Sequence, residues 1–225
     1  GSTTSYGNTI SVTVGSTSNL LPGRTDAGTT TVYYKLSGMT NYNDFTGTTT
    51  VTIGKITITS STVSTIATIT PYSGTYNGSA HYATIKPNVA MTVVSGTSTS
   101  YGNTISVTVG STSNLLPSRT DAGTTTVYYK LSGMTNYNDF TGTTTVTISQ
   151  ASTTVTVDAS KTVTYGSTAT VSYKSSVAGT FTITSNSTSY VTVASGYTTS
   201  ASAGTTYTFT INGVKVGSGT IAVAF

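Results

Sequence analysis

Apolar and polar residues alternate along most of this chain, and they do so in short runs. Ile10, Val12 and Val14 form one set. Val32, Tyr34 and Leu36 form another, with Tyr33 and Lys35 on the opposite side. Val89, Met91 and Val93 continue the pattern in mid-chain. Further on come Ala169, Val171 and Tyr173; Phe181 and Ile183; Val191 and Val193; Tyr207, Phe209 and Ile211; and Ile221, Val223 and Phe225. A period of two sends successive side chains to opposite faces of a strand, so each set predicts a β-strand with one buried face. The residues between the sets are Gly, Ser, Asn and Asp, which favour turns. Asn212-Gly213 predicts a tight hairpin, because a type I′ turn needs positive φ at both central positions. Asn77-Gly78 predicts a second tight turn. No stretch carries a helical period.

The phase of the alternation marks two junctions. Val51 and Ile53 occupy odd positions, whereas Ile56 and Ile58 occupy even ones. A one-residue slip exchanges the two faces of a strand, so Gly54-Lys55 reads as a boundary. Val146 and Ile148 likewise give way to Val155 and Val157 across Gln150.

Self-comparison explains the first junction. Thr4–Ile53 recurs as Thr99–Ile148, and the two copies differ only where Gly23 becomes Ser118. Lys55–Ser149 is then one complete unit, 150–225 is a different segment, and 1–54 is the C-terminal half of a unit. The half copy lacks a counterpart of Lys55–Ser95. Either the chain starts partway through a unit, or the true unit has another frame. Val32, Tyr34 and Leu36 of the half copy are expected to expose apolar surface. They would then pair with another chain or form a permuted domain with Lys55–Ser95. The expected architecture is all-β: tandem sandwiches, each of a size that suits about seven strands, arranged as an elongated rod.

Composition narrows the chemistry. The chain has 225 residues and a net charge of +4, with 9 Lys and Arg, 5 acidic residues and no Cys or Trp. Only 6% of residues are charged, against about 25% in ordinary domains. All the acids are aspartates, and Ser and Thr dominate. The basic residues form no cluster of the kind that neutralises phosphates, which argues against a nucleic-acid partner. Without Cys there are no disulfides or thiolate metal sites. No apolar run reaches the ~18 residues of a membrane span, so no membrane insertion is expected in this segment.

Candidate catalytic chemistry is thin. His81 is the sole histidine, it falls in phase with Ala83 and Ile85 on an expected strand, and no nucleophile elbow accompanies it. Asp26, Asp44, Asp121 and Asp139 are two positions counted twice, and Asp158 is the fifth. Asp121 and Asp139 sit in turn-like contexts where Asp caps backbone. Asn136, Asn138 and Asp139 supply too few carboxylates for a typical calcium site. Lys35 and Lys130 lie on the polar face of a strand and read as solvated lysines; they are also the candidates for an isopeptide crosslink. Asn77-Gly-Ser79 and Asn186-Ser-Thr188 match the glycosylation sequon. No catalytic residue, cofactor or metal is expected. Tyr34 and Tyr129 share a face with Val and Leu and read as core. Tyr33, Tyr42, Tyr128 and Tyr137 are candidate ligand contacts, since exposed tyrosines suit recognition surfaces.

Several motifs occur in an order that resembles a known family. Asp121-Ala-Gly-Thr-Thr-Thr-Val-Tyr-Tyr-Lys130, Asn136-Tyr-Asn-Asp139 and Thr143-Thr-Thr-Val-Thr-Ile148 resemble the C-terminal half of MBG-type bacterial Ig-like repeats. Tyr76-Asn-Gly-Ser79 is similar to the tyrosine–glycine signature near the start of that repeat. Thr125 departs from the pattern, where an aromatic is common. Ser185-Asn-Ser-Thr-Ser-Tyr-Val-Thr-Val193, followed by a Gly-rich stretch, resembles the Ig-like domains of intimin and invasin stalks. The resemblance implies a non-enzymatic, adhesive stalk segment on an extracellular bacterial surface, whose tandem spacers present a distal binding region. Its implied partners are neighbouring Ig-like domains, copies of itself, or a host protein or glycan. The alternatives are a phage virion fibre or decoration module, and a glycan-binding module using the tyrosines.

Overall fold

Thr, Val, Ile and Tyr suit a pleated, half-buried surface. In the computed structural model, which describes residues 1–225, every regular element is a strand except one 3-10 turn, Val63–Thr65. The chain divides into two units, Gly1–Gln150 and Ala151–Phe225.

The first unit contains both repeat copies. The half copy contributes β1 (Gly28–Leu36) and β2 (Phe45–Ile53), an antiparallel hairpin whose register sets Val32 against Thr49. The complete copy contributes β3 (Ala67–Thr70), β4 (Tyr72–Thr75), β5 (Thr84–Pro87), β6 (Thr92–Gly96), β7 (Asn103–Ile105), β8 (Ser113–Asn114), β9 (Gly123–Ser132) and β10 (Phe140–Ser149). These form a five-stranded sheet, β4-β10-β9-β6-β7, and a three-stranded sheet, β3-β5-β8. β4 runs parallel to β10, with Tyr72 opposite Val146; the other pairs are antiparallel. One core joins the two sheets: Ala67, Ile85 and Leu115 from or beside the smaller, and Val93, Val127, Leu131 and Val146 from the larger. The strands of Lys55–Ser95 thus pair with the second copy and not with the first.

The two copies agree locally and differ in what covers them. Tyr34 and Phe45 rings lie 6.1 Å apart, and Tyr129 and Phe140 rings 6.3 Å apart. Tyr6 and Tyr101 both adopt left-handed backbone, with φ of 49° and 44°. Yet Leu131 is 0% exposed and Phe140 9%, whereas Leu36 is 49% exposed and Phe45 54%. Of the three half-copy residues expected to be exposed, Val32 is instead buried at 1%, Tyr34 is half-buried and only Leu36 is exposed, so the hairpin covers its own middle and the neighbouring strands decide the burial of the Leu36–Phe45 end.

The same contrast corrects one expected strand. Ile10, Val12 and Val14 form none, and Val12 and Val14 are exposed. Of their counterparts Ile105, Val107 and Val109, only Ile105 lies in a strand, as the last residue of β7, where β6 pairs Val93 with it. The half copy has no equivalent of β6, so its alternation has no ladder to join. Val89 and Met91 likewise precede β6, although both pack on the core.

The second unit contains β11 (Val155–Val157), β12 (Thr168–Ser175), β13 (Gly179–Thr180), β14 (Thr182–Ser185), β15 (Val191–Val193), β16 (Ser200–Ala201), β17 (Thr206–Gly213) and β18 (Ile221–Ala224). Its sheets are β11-β12-β17-β15, β13-β16 and β14-β18. Val171, Tyr173, Phe181, Ile183, Phe209 and Ile211 form its core. The Tyr173 ring meets Phe181 edge-on at 4.8 Å, and its hydroxyl donates to the Thr198 carbonyl.

Asn212-Gly213 is not a turn. Both residues end β17, where Asn212 pairs with Thr168 on one side and Thr192 on the other. The chain then crosses to β18, which pairs with β14 in a different sheet. Gly213 is not left-handed. A Cβ there would sit 2.8 Å from the Thr164 carbonyl oxygen, so this glycine admits a close backbone approach. Asn77 does organise a turn: its side-chain oxygen accepts the Ser79 N–H at 2.9 Å, and Gly78 is left-handed with φ 79°.

Candidate functional site

The most elaborate polar arrangement in the first unit lies where the two copies meet. Gly54 and Lys55 lead the chain out of β2 and along the loop between β9 and β10. The Ile56 N–H donates to the Asn136 carbonyl at 2.8 Å, and the Asn138 N–H donates to the Ile56 carbonyl at 2.9 Å. Lys55 Nζ donates to the Met134 carbonyl at 2.7 Å, above the buried Met134 side chain. Asn138 Nδ2 donates to Thr57 Oγ1 at 3.2 Å. The connector is therefore held as a short strand-like segment beside Tyr137.

Asn136 then reaches back to the first copy. Its Oδ1 accepts the Ala27 N–H at 2.7 Å, and its Nδ2 donates to Asp26 Oδ1 at 2.9 Å. One planar amide thus grips a backbone donor and a carboxylate on the same turn. That turn is fixed from behind by Arg24, which donates to the Ala27 carbonyl at 2.7 Å and to Thr30 Oγ1 at 3.0 Å. Arg119 holds the equivalent turn of the second copy through Ala122 and Thr125. Thr125, the departure from the resembled pattern, thus serves as a polar partner. The Arg119 side chain lies where a Cβ on Gly123 would be, and Gly123 is left-handed at φ 128°. Both constraints require glycine there.

Loss of the Asn136 amide removes two partly exposed hydrogen bonds, one to a charged acceptor, worth about 1 kcal/mol together. Asn136→Ala is expected to raise the exchange rate of the Ala27 amide about fivefold while β9 and β10 keep theirs. Amide hydrogen exchange resolved at Ala27 checks this.

The candidate tyrosines do not gather into a platform. Tyr33 lies on β1 opposite Thr48, and Tyr128 lies on β9 opposite Thr143. Tyr137 packs partly against the core, and Tyr42, its counterpart, is 77% exposed. No ring–ring contact joins any two of the four. Tyr129 is core, and burial raises its hydroxyl pKa. Tyr34 is only half-buried because the half copy lacks covering strands.

The charged candidates are paired. Lys35 meets Asp44 at 2.7 Å, and Lys130 meets Asp139 at 3.0 Å. The Asp44 hydrogen bond and charge raise the Lys35 pKa. Asp139 therefore closes an ion pair across the hairpin instead of capping backbone, because Lys130 near the end of β9 and Asp139 just before β10 face each other. His81 stacks on Tyr72 with centroids 4.2 Å apart, and its Nε2 lies 2.9 Å from Asn77 Oδ1. It forms a backbone bridge to Arg119 just ahead of β5 and not within a strand. No three of His, Cys, Asp and Glu come together in a group that would hold a metal ion.

The second unit contains a groove of about 470 Å³, floored by Val171, Phe209 and Ile211 and edged by Asp158, Lys161 and Lys215. Asp158 accepts the Ser172 N–H at 3.0 Å and pairs with Lys161 at 3.1 Å, and these bonds lower its pKa. On the same rim Lys215 has no carboxylate partner, and its Nζ lies over the Tyr190 ring at 5.6 Å from the centroid.

The junction was the part least visible in sequence. Asn136 stood out only as a neighbour of Asn138 and Asp139, and its partners lie 109 and 110 positions away. The one available signal was the Arg-Thr-Asp-Ala-Gly run present in both copies. Comparison with family models, curated proteins and solved structures gave no match to this chain.

Proposed function

We propose that this chain is a non-enzymatic stalk segment of a bacterial cell-surface protein. Its tandem Ig-like β-sandwich modules form an elongated rod that sets reach and presents a binding region. The observation that carries this reading is the joint between the copies. A spacer needs repeated modules and connectors that resist free swivelling. Here Lys55–Thr57 is hydrogen-bonded along the 134–138 loop, and Asn136 locks the Asp26–Ala27 turn. Near-identical copies add length without new chemistry. Lys35 and Lys130 pair with aspartates and His81 Nε2 lies against Asn77 Oδ1, which favours structural roles for these side chains. Force applied along such a segment would load strand ladders and this joint.

Small-angle scattering on the full chain tests the reading. A compact globule of 225 residues has a radius of gyration of about 17 Å. The expected value is clearly larger, with a long tail in the distance distribution. A value near 17 Å would overturn the rod.

A further inference from the structure

The half copy presents the same side chains as the second copy; Val32 is buried in both, but the Leu36–Phe45 end of its apolar side is open, and its hairpin edges carry no strand beyond the single pairing of Gly1 with Tyr33. In the second copy the edge of β9 away from β10 pairs with β6, and the edge of β10 away from β9 pairs with β4. The small sheet β3-β5-β8 closes the core over Leu131, Met134 and Phe140. The half copy has none of these covers, and Leu20, Leu36, Met39 and Phe45 are exposed. What covers this surface is thus visible within the same molecule: the strands of Lys55–Ser95.

Gly1 marks where such a cover would end. Its carbonyl accepts the Tyr33 N–H at 2.9 Å, as β6 ends with Gly96 opposite Tyr128. A Cβ on Gly1 would lie 3.2 Å from Gly7 N and from Tyr6 Cα, and one on Gly96 would meet Gly102 N and Tyr101 Cα at 3.0 and 3.2 Å. Gly1 therefore sits in the first copy as Gly96 sits in the second. It is the last rung of a ladder whose other rungs are empty.

Stoichiometry identifies the source. These 225 residues hold one covering segment and two faces that match it. Exchange of Lys55–Ser95 between copies of this chain uncovers one face for each it covers. We propose that the first copy is a docking site for an additional segment with the sequence of Lys55–Ser95, supplied from outside these 225 residues. The segment would add a β6-type strand beside β1 and a β4-type strand parallel to β2, and its β3- and β5-type strands, with Ser18–Asn19 in the place of β8, would close a three-stranded sheet over Leu36 and Phe45. Strand addition of this kind takes affinity from main-chain ladders and specificity from alternate side chains.

The test joins a second Lys55–Ser95 sequence directly to Gly1 of the full chain, which reproduces the Ser95–Gly96 step. Hydrogen exchange is read on peptides that cross Gly54, which are unique to the first copy. The expected result is at least a hundredfold slowing in β2, toward the rates of β10. Unchanged β2 exchange, or equal slowing with a scrambled segment of the same composition, would overturn the proposal. A free Lys55–Ser95 peptide titrated into the 225-residue chain provides a second measurement. Saturable one-to-one binding that protects β2 is expected. No binding, or protection confined to β10, would overturn it.

Discussion

Leu131→Ala is expected to destabilise the first unit by about 3 kcal/mol, and Leu36→Ala at the matching position by less than about 1 kcal/mol. The two leucines occupy identical local sequence on equivalent strands, so propensity, turn chemistry and cross-strand register cancel in the comparison. What remains is burial. Leu131 is enclosed by both sheets, and truncating it removes transfer free energy and leaves a cavity. Leu36 is half in water, so its removal forfeits little apolar contact and opens no void. Urea unfolding followed by tyrosine fluorescence gives both values. Equal losses would mean that the half copy is covered in solution. Phe140→Ala and Phe45→Ala repeat the comparison with a larger side chain.

Phe181→Ala is expected to unfold the second unit and leave the first intact. Phe181 is buried between Tyr173 and Phe225, with ring centroids 4.8 Å from each. Loss of a buried phenyl ring costs about 3–5 kcal/mol. A unit of about 75 residues has roughly 4–11 kcal/mol in total, so the substitution removes much or all of its stability. In hydrogen exchange, amides of β12 and β17 should approach unfolded rates while β9 and β10 stay protected. Loss of protection in β9 and β10 as well would show that the two units do not unfold independently.

Which parts of this architecture were readable in advance follows from the range of each interaction. β1, β9, β12 and β17 carry long alternations, and a period of two is a local property that survives almost any surroundings. The slip at Gly54-Lys55 was visible for the same reason: it is a break in a local pattern, and it falls where β2 ends. Pairing is not local. Nothing in Tyr72–Thr75 announces that it runs parallel to Val146–Ser149, because sheet order depends on how two faces close over a core. Ile10, Val12 and Val14 failed through the same gap, since alternation proposes a strand but only a neighbour completes one. Asn212-Gly213 misled for a different reason. Glycine serves both left-handed turns and tight backbone contacts, and sequence does not say which. The junction was hidden because a side-chain amide bridging two loops leaves no periodic trace. Lys35 and Lys130 read as solvated lysines, but each is ion-paired, and those pairs and the His81 ring stack depend on contacts that a strand period does not encode.

The duplicated face also has a consequence in time. Lys55–Ser95 lies between two surfaces of nearly the same sequence, and it is held by the later one. Synthesis proceeds from the N-terminus at about 5–20 residues per second, so this segment exists for about 3–11 s before Ser149 is made. During that interval the downstream match is not yet complete, and the upstream surface, wherever it is left uncovered, competes for the segment. Loop entropy discriminates weakly between the two pairings, because it changes with the logarithm of length. Slow translation therefore gives the upstream pairing its chance, and the native arrangement must then be reached by strand exchange. Translation speed across residues 96–149 becomes a determinant of folding yield, set by the repeat itself.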